Sequence, residues 1–223
     1  MTMGHLALRG VSKVYPGNPP LYALKEVSLD IDRGEFVGVV GPSGSGKTTL
    51  LSLMGLLDKP TAGEVWLDGV NVAALSEAAR SQARSDQIGF VFQQFYLLPA
   101  LTARDNVAVG MLYQGLGAAE RRRRADAALD RVGLTPRAGH RPGQLSGGEQ
   151  QRVAIARAIA GEPAVVFADE PTGALDQASG RVVMDCLRSA NDAGTTVVVI
   201  THDLALADQM GRQIHMLDGE ASE

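Results

Sequence analysis

Four stretches of the chain are apolar or β-branched at almost every position: Phe36-Val37-Gly38-Val39-Val40, Ile88-Gly89-Phe90-Val91-Phe92, Ala164-Val165-Val166-Phe167-Ala168 and Thr195-Thr196-Val197-Val198-Val199-Ile200. Each has the length of a strand, and continuous apolar runs of that length suit a parallel sheet covered on both faces. Leu6-Ala7-Leu8-Arg9 and Val27-Ser28-Leu29-Asp30-Ile31 alternate instead, as half-buried strands do. Pro60 to Gly63 breaks the chain ahead of a short strand, Glu64 to Leu67, that runs into a turn at Asp68-Gly69, and Gln213 to Leu217 reads as a last strand. From Gln94 to about Ala160 the spacing becomes helical, with helices expected over 102–114 and 118–132. Further helices are expected after Thr49 and from the turn at 171–176 through Arg188.

The apolar runs end in chemistry. Phe36–Val40 is followed by Gly41-Pro42-Ser43-Gly44-Ser45-Gly46-Lys47-Thr48 and then by Thr49 and the apolar Leu50-Leu51. A strand, a glycine-rich turn and a helix in that order make a P-loop. The glycines let backbone N–H groups face inward at a positive helix end, an anion nest for phosphates. Lys47 adds a point charge, and Thr48 offers a hydroxyl to Mg²⁺. These residues imply a nucleoside triphosphate site.

Gln93 stands at the end of the second run, Asp169 and Glu170 at the end of the third, and His202 at the end of the fourth. Ligands of parallel α/β sheets gather at carboxyl ends of strands. There Asp169 would hold the Mg²⁺ shell, Glu170 would orient or deprotonate an attacking water, and His202 would contact the γ-phosphate. Leu145-Ser146-Gly147-Gly148-Glu149-Gln150-Gln151-Arg152 heads an Ala-rich helix, a second helix start able to meet an anion or simply a capped entry. Tyr15, ahead of a turn, is either a stacking surface for a base or a packed side chain.

The 223 residues, 45% hydrophobic and 21% charged, describe an ordinary folded chain with room for one domain or one with an inserted lobe. A net charge of −4 gives nucleic acid and anionic membranes no global attraction. The Arg121–Arg124 run lies among Glu120, Asp126 and Asp130 and reads as a solvated helix face. Cys186 is the only cysteine, so no intrachain disulfide forms, which suits a reducing compartment. No apolar run is long enough to span a bilayer, no signal sequence is expected at 1–9, and no regulatory domain is expected after Leu217.

P-loop, strand-end glutamine, LSGGEQQR, Asp-Glu and strand-end histidine follow the order of an ABC ATPase, and the chain resembles the nucleotide-binding subunit of an ABC transporter over essentially its full length. That resemblance implies an α/β, RecA-like P-loop core with an antiparallel β subdomain (1–93 and 161–223) and an inserted α-helical subdomain (94–160). It implies that Gly41 to Thr48 are the Walker A loop and Val165 to Asp169 the Walker B strand. Glu170 is then the catalytic glutamate, Gln93 the Q-loop residue, a catalytic contact to the metal or the attacking water, His202 the switch histidine, and Tyr15 the aromatic under adenine. Ser146, Gly147, Gly148 and Glu149 would cap ATP held by a second copy, so an ATP-dependent homodimer with Mg²⁺ is implied. Gly173 departs from the serine many members carry before Ala174-Leu175-Asp176.

Within the family, Phe92 to Pro99 and Glu170 to Asp176 look like the lipoprotein-release, macrolide-exporter and FtsE group. The resemblance implies a separate transmembrane permease that holds this chain at the cytoplasmic face of the inner membrane, with no insertion of its own and no nucleic-acid partner. Phe95 to Pro99 either receives a cytoplasmic helix of that permease or packs within the helical lobe. Three other readings stay open: an ABC protein of DNA repair or the ribosome, a small-molecule kinase, and a subunit that only transmits force to a cell-wall enzyme.

Overall fold

The computed structural model describes residues 4–223, and each continuous apolar run forms a strand. In chain order the elements are β1 (Leu6–Tyr15), β2 (Leu21–Ile31), β3 (Phe36–Val40), α1 (Lys47–Met54), β4 (Ala62–Leu67), β5 (Val70–Asn71), α2 (Glu77–Gln87) and β6 (Ile88–Phe92). There follow α3 (Ala103–Val109), α4 (Ala118–Arg131), α5 (Gly147–Ile159), β7 (Val165–Asp169), α6 (Gln177–Asp192), β8 (Thr196–Thr201), α7 (Leu204–Ala207), β9 (Arg212–Leu217) and β10 (Glu220–Ser222). They group into two compact units, one running to Arg84 and resuming at Val198–Glu223, the other Ser85–Val197. The segment 94–160 expected as an inserted lobe contributes α3, α4 and α5 to the second unit, which also takes in β6, β7 and α6.

In the first unit β1 pairs antiparallel with β2, from Leu6 opposite Ile31 to Tyr15 opposite Leu21, and with β4 on its other side. Both long strands run beyond the alternating segments that announce them. Register shifts along the β1–β2 pair, with Gly10 and Glu26 at positive φ, reset which side chains face inward. β3 pairs in parallel with β9, Val39 opposite Ile214, and β10 returns antiparallel along β9. Leu6, Leu8, Leu24, Ile31, Val39, Leu50, Met54 and Met216 are almost fully buried and form the core of this unit. β8 carries the chain back into it.

In the second unit β6 and β7 pair in parallel from Ile88 opposite Val165 to Phe92 opposite Asp169. α5 lies so close to β6 that a β-carbon on Gly89 would meet the Ala158 carbonyl oxygen at 2.5 Å. Ala154, Ile155, Leu129, Val107, Val183 and Phe167 are sealed from solvent around it. The helix expected over 102–114 is shorter: α3 ends at Val109, and Met111 and Leu112 continue in three-residue turns. Gly110 packs against the Arg157 carbonyl there (2.9 Å from an added β-carbon), which leaves no room for a regular helix to continue with side chains.

Candidate nucleotide site

The phosphate loop is shaped by what surrounds its glycines. Gly46 has φ +102, and a β-carbon on it would lie 2.6 Å from the Ala23 carbonyl oxygen; one on Gly41 would lie 2.2 Å from the Met216 carbonyl oxygen. Only glycine satisfies both the angle and the approach. Gly46 therefore caps α1 without a side-chain bond, and the first turn of the helix carries no acid. Its leading N–H groups and the positive end of the helix face the loop. Lys47 is buried, and its ammonium donates to the carbonyls of Gly41 (2.7 Å) and Pro42 (2.8 Å), which hold the charge inside the curl of the loop. Ser45 is buried with its hydroxyl unpartnered, while Pro42, Ser43, Gly44 and Thr48 are exposed and Thr49 half-buried.

The same unit holds Tyr15 and His202. Tyr15 is half-buried at the end of β1, and its hydroxyl donates to Asp58 Oδ2 at 3.2 Å. His202 is exposed directly after β8. Its turn is fixed on the far side by Asp203, whose N–H donates to Thr201 Oγ1 (3.0 Å) and whose carboxylate caps α7 at Leu206 N–H (3.2 Å).

The second unit brings Gln93, Asp169 and Glu170 to one end of its paired strands. Because Phe92 lies opposite Asp169, Gln93 and Glu170 leave the two strands at the same level. Glu170 has φ +46, a left-handed conformation rare for a side-chain-bearing residue and concentrated at functional sites. Gly173 lies beneath Gln93: a β-carbon there would approach Gln93 Nε2 to 2.9 Å.

Gln151, fully buried in α5, ties this end together. Its Nε2 donates to the Pro171 carbonyl at 2.7 Å and the Phe92 carbonyl at 3.2 Å, so one side chain bridges the residues that precede Gln93 and follow Glu170. Sequence reasoning gave Gln151 no role; the signal was a polar residue in the inward register of an Ala-rich helix.

At the start of α5 Ser146 is the N-cap. Its hydroxyl accepts from Glu149 N–H (3.2 Å), and Glu149 Oε2 accepts from Ser146 N–H (2.8 Å), a capping box. The Ser146 N–H, against the opposing pull of burial, and the Arg137 guanidinium at 3.1 Å hold the Glu149 carboxyl below its ordinary range. Gly147 and Gly148 are half-buried, the latter against Ser179 of α6.

Phe95 to Pro99 follows neither expectation alone. Phe95 and Leu97 are half-buried, whereas Tyr96 and Leu98 are 62% and 47% exposed. Arg157, largely desolvated and thereby lowered in pKa, donates to the carbonyls of Tyr96 (2.7 Å) and Phe95 (2.9 Å). Beside this loop lies a groove of about 390 Å³ whose walls include Phe90, Phe92, Tyr96, Gln114 and Arg157. Phe92 stacks on Phe90 and meets Tyr96 edge-on.

A sequence model of a known family, described as ABC transporter, matches residues 24–173. The chain belongs to the ABC transporter family. The cassette is 49% identical over 221 residues to the uncharacterized ABC transporter ATP-binding protein MJ0796 of Methanocaldococcus jannaschii, covering 96% of this chain and 94% of that one. It is 48% identical to the macrolide export ATP-binding/permease protein MacB 1/2 of Paracoccus denitrificans, over 96% of this chain but only 32% of that protein. Among solved structures it matches the dimeric, post-hydrolysis state of MJ0796 bound to ADP and Pi, with a TM-score of 0.88, 46% identity, and 98% and 97% of the two chains covered. A second dimeric MJ0796 structure matches equally well in fold, at 47% identity. The expected ABC ATPase fold is thus borne out, and the chain is an ATP-binding ABC ATPase. Among the described residues no helix is long and apolar enough to cross a membrane.

Proposed function

We propose that two copies of this cassette close head to tail over two ATP molecules, hydrolyse them, and drive a separate transmembrane permease from the cytoplasmic face of the membrane. In this reading Gly41 to Thr49 cradle the phosphates and Tyr15 stacks on the base. Ser146, Gly147 and Gly148 of one copy cover the ATP held by the other, with Glu149 holding their turn in place. Glu170 positions and deprotonates the attacking water, a role typically worth about 10²–10⁴ in rate. His202 contacts the γ-phosphate. Thr48, Gln93 and Asp169 offer a hydroxyl, an amide oxygen and a carboxylate, hard donors of the kind Mg²⁺ takes, and the bound ion would neutralise charge on the phosphate oxygens.

The observation that carries the reading is the near-full-length likeness to a cassette solved as a dimer with ADP and Pi. A permease partner is supported by the likeness to MacB 1/2, whose name joins an ATP-binding function to a permease. The aromatic groove beside Tyr96 is the face assigned to the permease, since its walls combine apolar rings with the Gln114 amide and suit an amphipathic helix.

Glu170→Gln tests the core of the proposal. It should retain ATP, lose about 10²–10⁴ in turnover, and elute as a dimer with ATP on size exclusion with light scattering. Turnover at the wild-type rate removes Glu170 from its role, and a persistent monomer removes the dimer. Affinity purification from native membranes should recover a permease with it.

A further inference from the structure

Tyr15 closes β1, and two side chains fix its ring. Its hydroxyl donates to Asp58 Oδ2, 43 residues away in sequence. Lys13, two residues earlier and so on the same face of the strand, holds its ammonium 5.0 Å from the ring centroid. That ammonium also pairs with Asp58 Oδ2 at 2.7 Å and donates to the Lys59 carbonyl at 2.7 Å. Asp58 Oδ1 in turn accepts from Lys59 N–H at 2.7 Å. Burial pushes the Asp58 carboxyl up, but the Lys13 ammonium, the Lys59 N–H and the Tyr15 hydroxyl more than reverse this and hold it below the ordinary carboxylate range. The Lys13 side chain is only 12% exposed. A nearly buried ammonium persists only where it is well paired, and here each of its partners also touches the tyrosine or the turn that carries Asp58.

We propose that Lys13 and Asp58 are positioning residues that hold the Tyr15 ring as a preset platform for the nucleotide base, an inference that rests on the stacking role given to Tyr15 above. The hydroxyl bond stops the ring from swinging off the strand. The ammonium takes one face and directs the base to the other. A ring already held in its bound orientation loses no rotamer freedom when the base arrives, which is where the gain in affinity comes from.

The test compares ATP with inorganic tripolyphosphate, each with Mg²⁺, by calorimetry on the full chain. Tripolyphosphate meets the phosphate loop but has no base, so a loss of general site structure weakens both ligands and a loss of the platform weakens ATP alone. Stacking on an aromatic is worth about 1–3 kcal/mol, or about 5- to 150-fold, and Tyr15→Ala should lose most of it. Asp58→Ala and Lys13→Met should each weaken ATP by about three- to tenfold and tripolyphosphate by less than about twofold. Tyr15→Phe, which keeps the ring and the cation, should cost about twofold for ATP. Asp58→Ala added to Tyr15→Ala should cost ATP nothing more. Equal losses for both ligands in Asp58→Ala and Lys13→Met would overturn the proposal. If Tyr15→Ala loses the preference for ATP while both partner variants keep it, the clamp alone is wrong. If Tyr15→Ala keeps full ATP affinity, stacking itself is wrong and the clamp goes with it. Should Asp58→Ala fail to fold, Lys13→Met and Tyr15→Phe decide by the same ratio.

Discussion

The helices α1 and α5 both begin in a turn rich in serine and glycine, yet they satisfy their first N–H groups in opposite ways. α5 supplies its own partners: the Ser146 hydroxyl and the Glu149 carboxylate close a reciprocal box, and Arg137 steadies the carboxylate. α1 has a left-handed glycine at the same position and no side-chain cap at all. Of these two helix starts, the one that is not self-capped is the one curled around a lysine ammonium. An anion reaching α1 meets no side-chain oxygen competing for the leading N–H groups, whereas at α5 the Ser146 hydroxyl and the Glu149 carboxylate already take two of the N–H groups at the helix start. That asymmetry accords with the roles proposed above, one turn holding ATP within a protomer and the other covering it when a second protomer arrives.

Breaking the α1 side should have the largest effect. Gly46→Ala puts a β-carbon 2.6 Å from a backbone oxygen at φ +102, so the loop must move. The expected cost is about 2–4 kcal/mol in urea denaturation, with ATP affinity reduced at least about 100-fold. Normal ATP binding by that variant would undo the contrast. Ser146→Ala should cost about 1 kcal/mol, the usual worth of an N-cap. In the Glu170→Gln background it should weaken the ATP-induced dimer more than it weakens ATP binding to the protomer. The smallest effect is a pH dependence confined to α5. The Glu149 carboxyl is depressed in the folded chain, so its contribution is fully present above the unfolded value of about 4.3 and is lost as pH falls through the lower folded value. Glu149→Gln should flatten that part of the acid-unfolding curve, and an unaltered curve would mean that the box contributes nothing.

The strands buried on both faces were legible because their residues leave little alternative: β3, β6, β7 and β8 fall on the four apolar runs to within a residue or so. The candidate residues at their ends were legible for the same reason. What stayed hidden depends on distance or on polarity. β1 and β2 read as short because the irregularities near Gly10 and Glu26 interrupt their alternation. α2 has alanines as its only apolar residues and buries only Arg80, so no stripe of large apolar side chains announced it. The Lys13–Asp58–Tyr15 cluster joins residues 43 and more apart, and the burial of Gln151 depends on two carbonyls contributed by different strand ends. No local pattern encodes either.

The two bonds from Arg157 to the carbonyls of Phe95 and Tyr96 give the loop a mechanical meaning. They rivet an outward-facing tyrosine to the tail of the same rod whose head, roughly 16 Å away along the axis, bears the signature serine. Whatever grasps Tyr96 thus has a handle on that rod, and a tug at one end is felt at the other without any side chain in between having to change its rotamer.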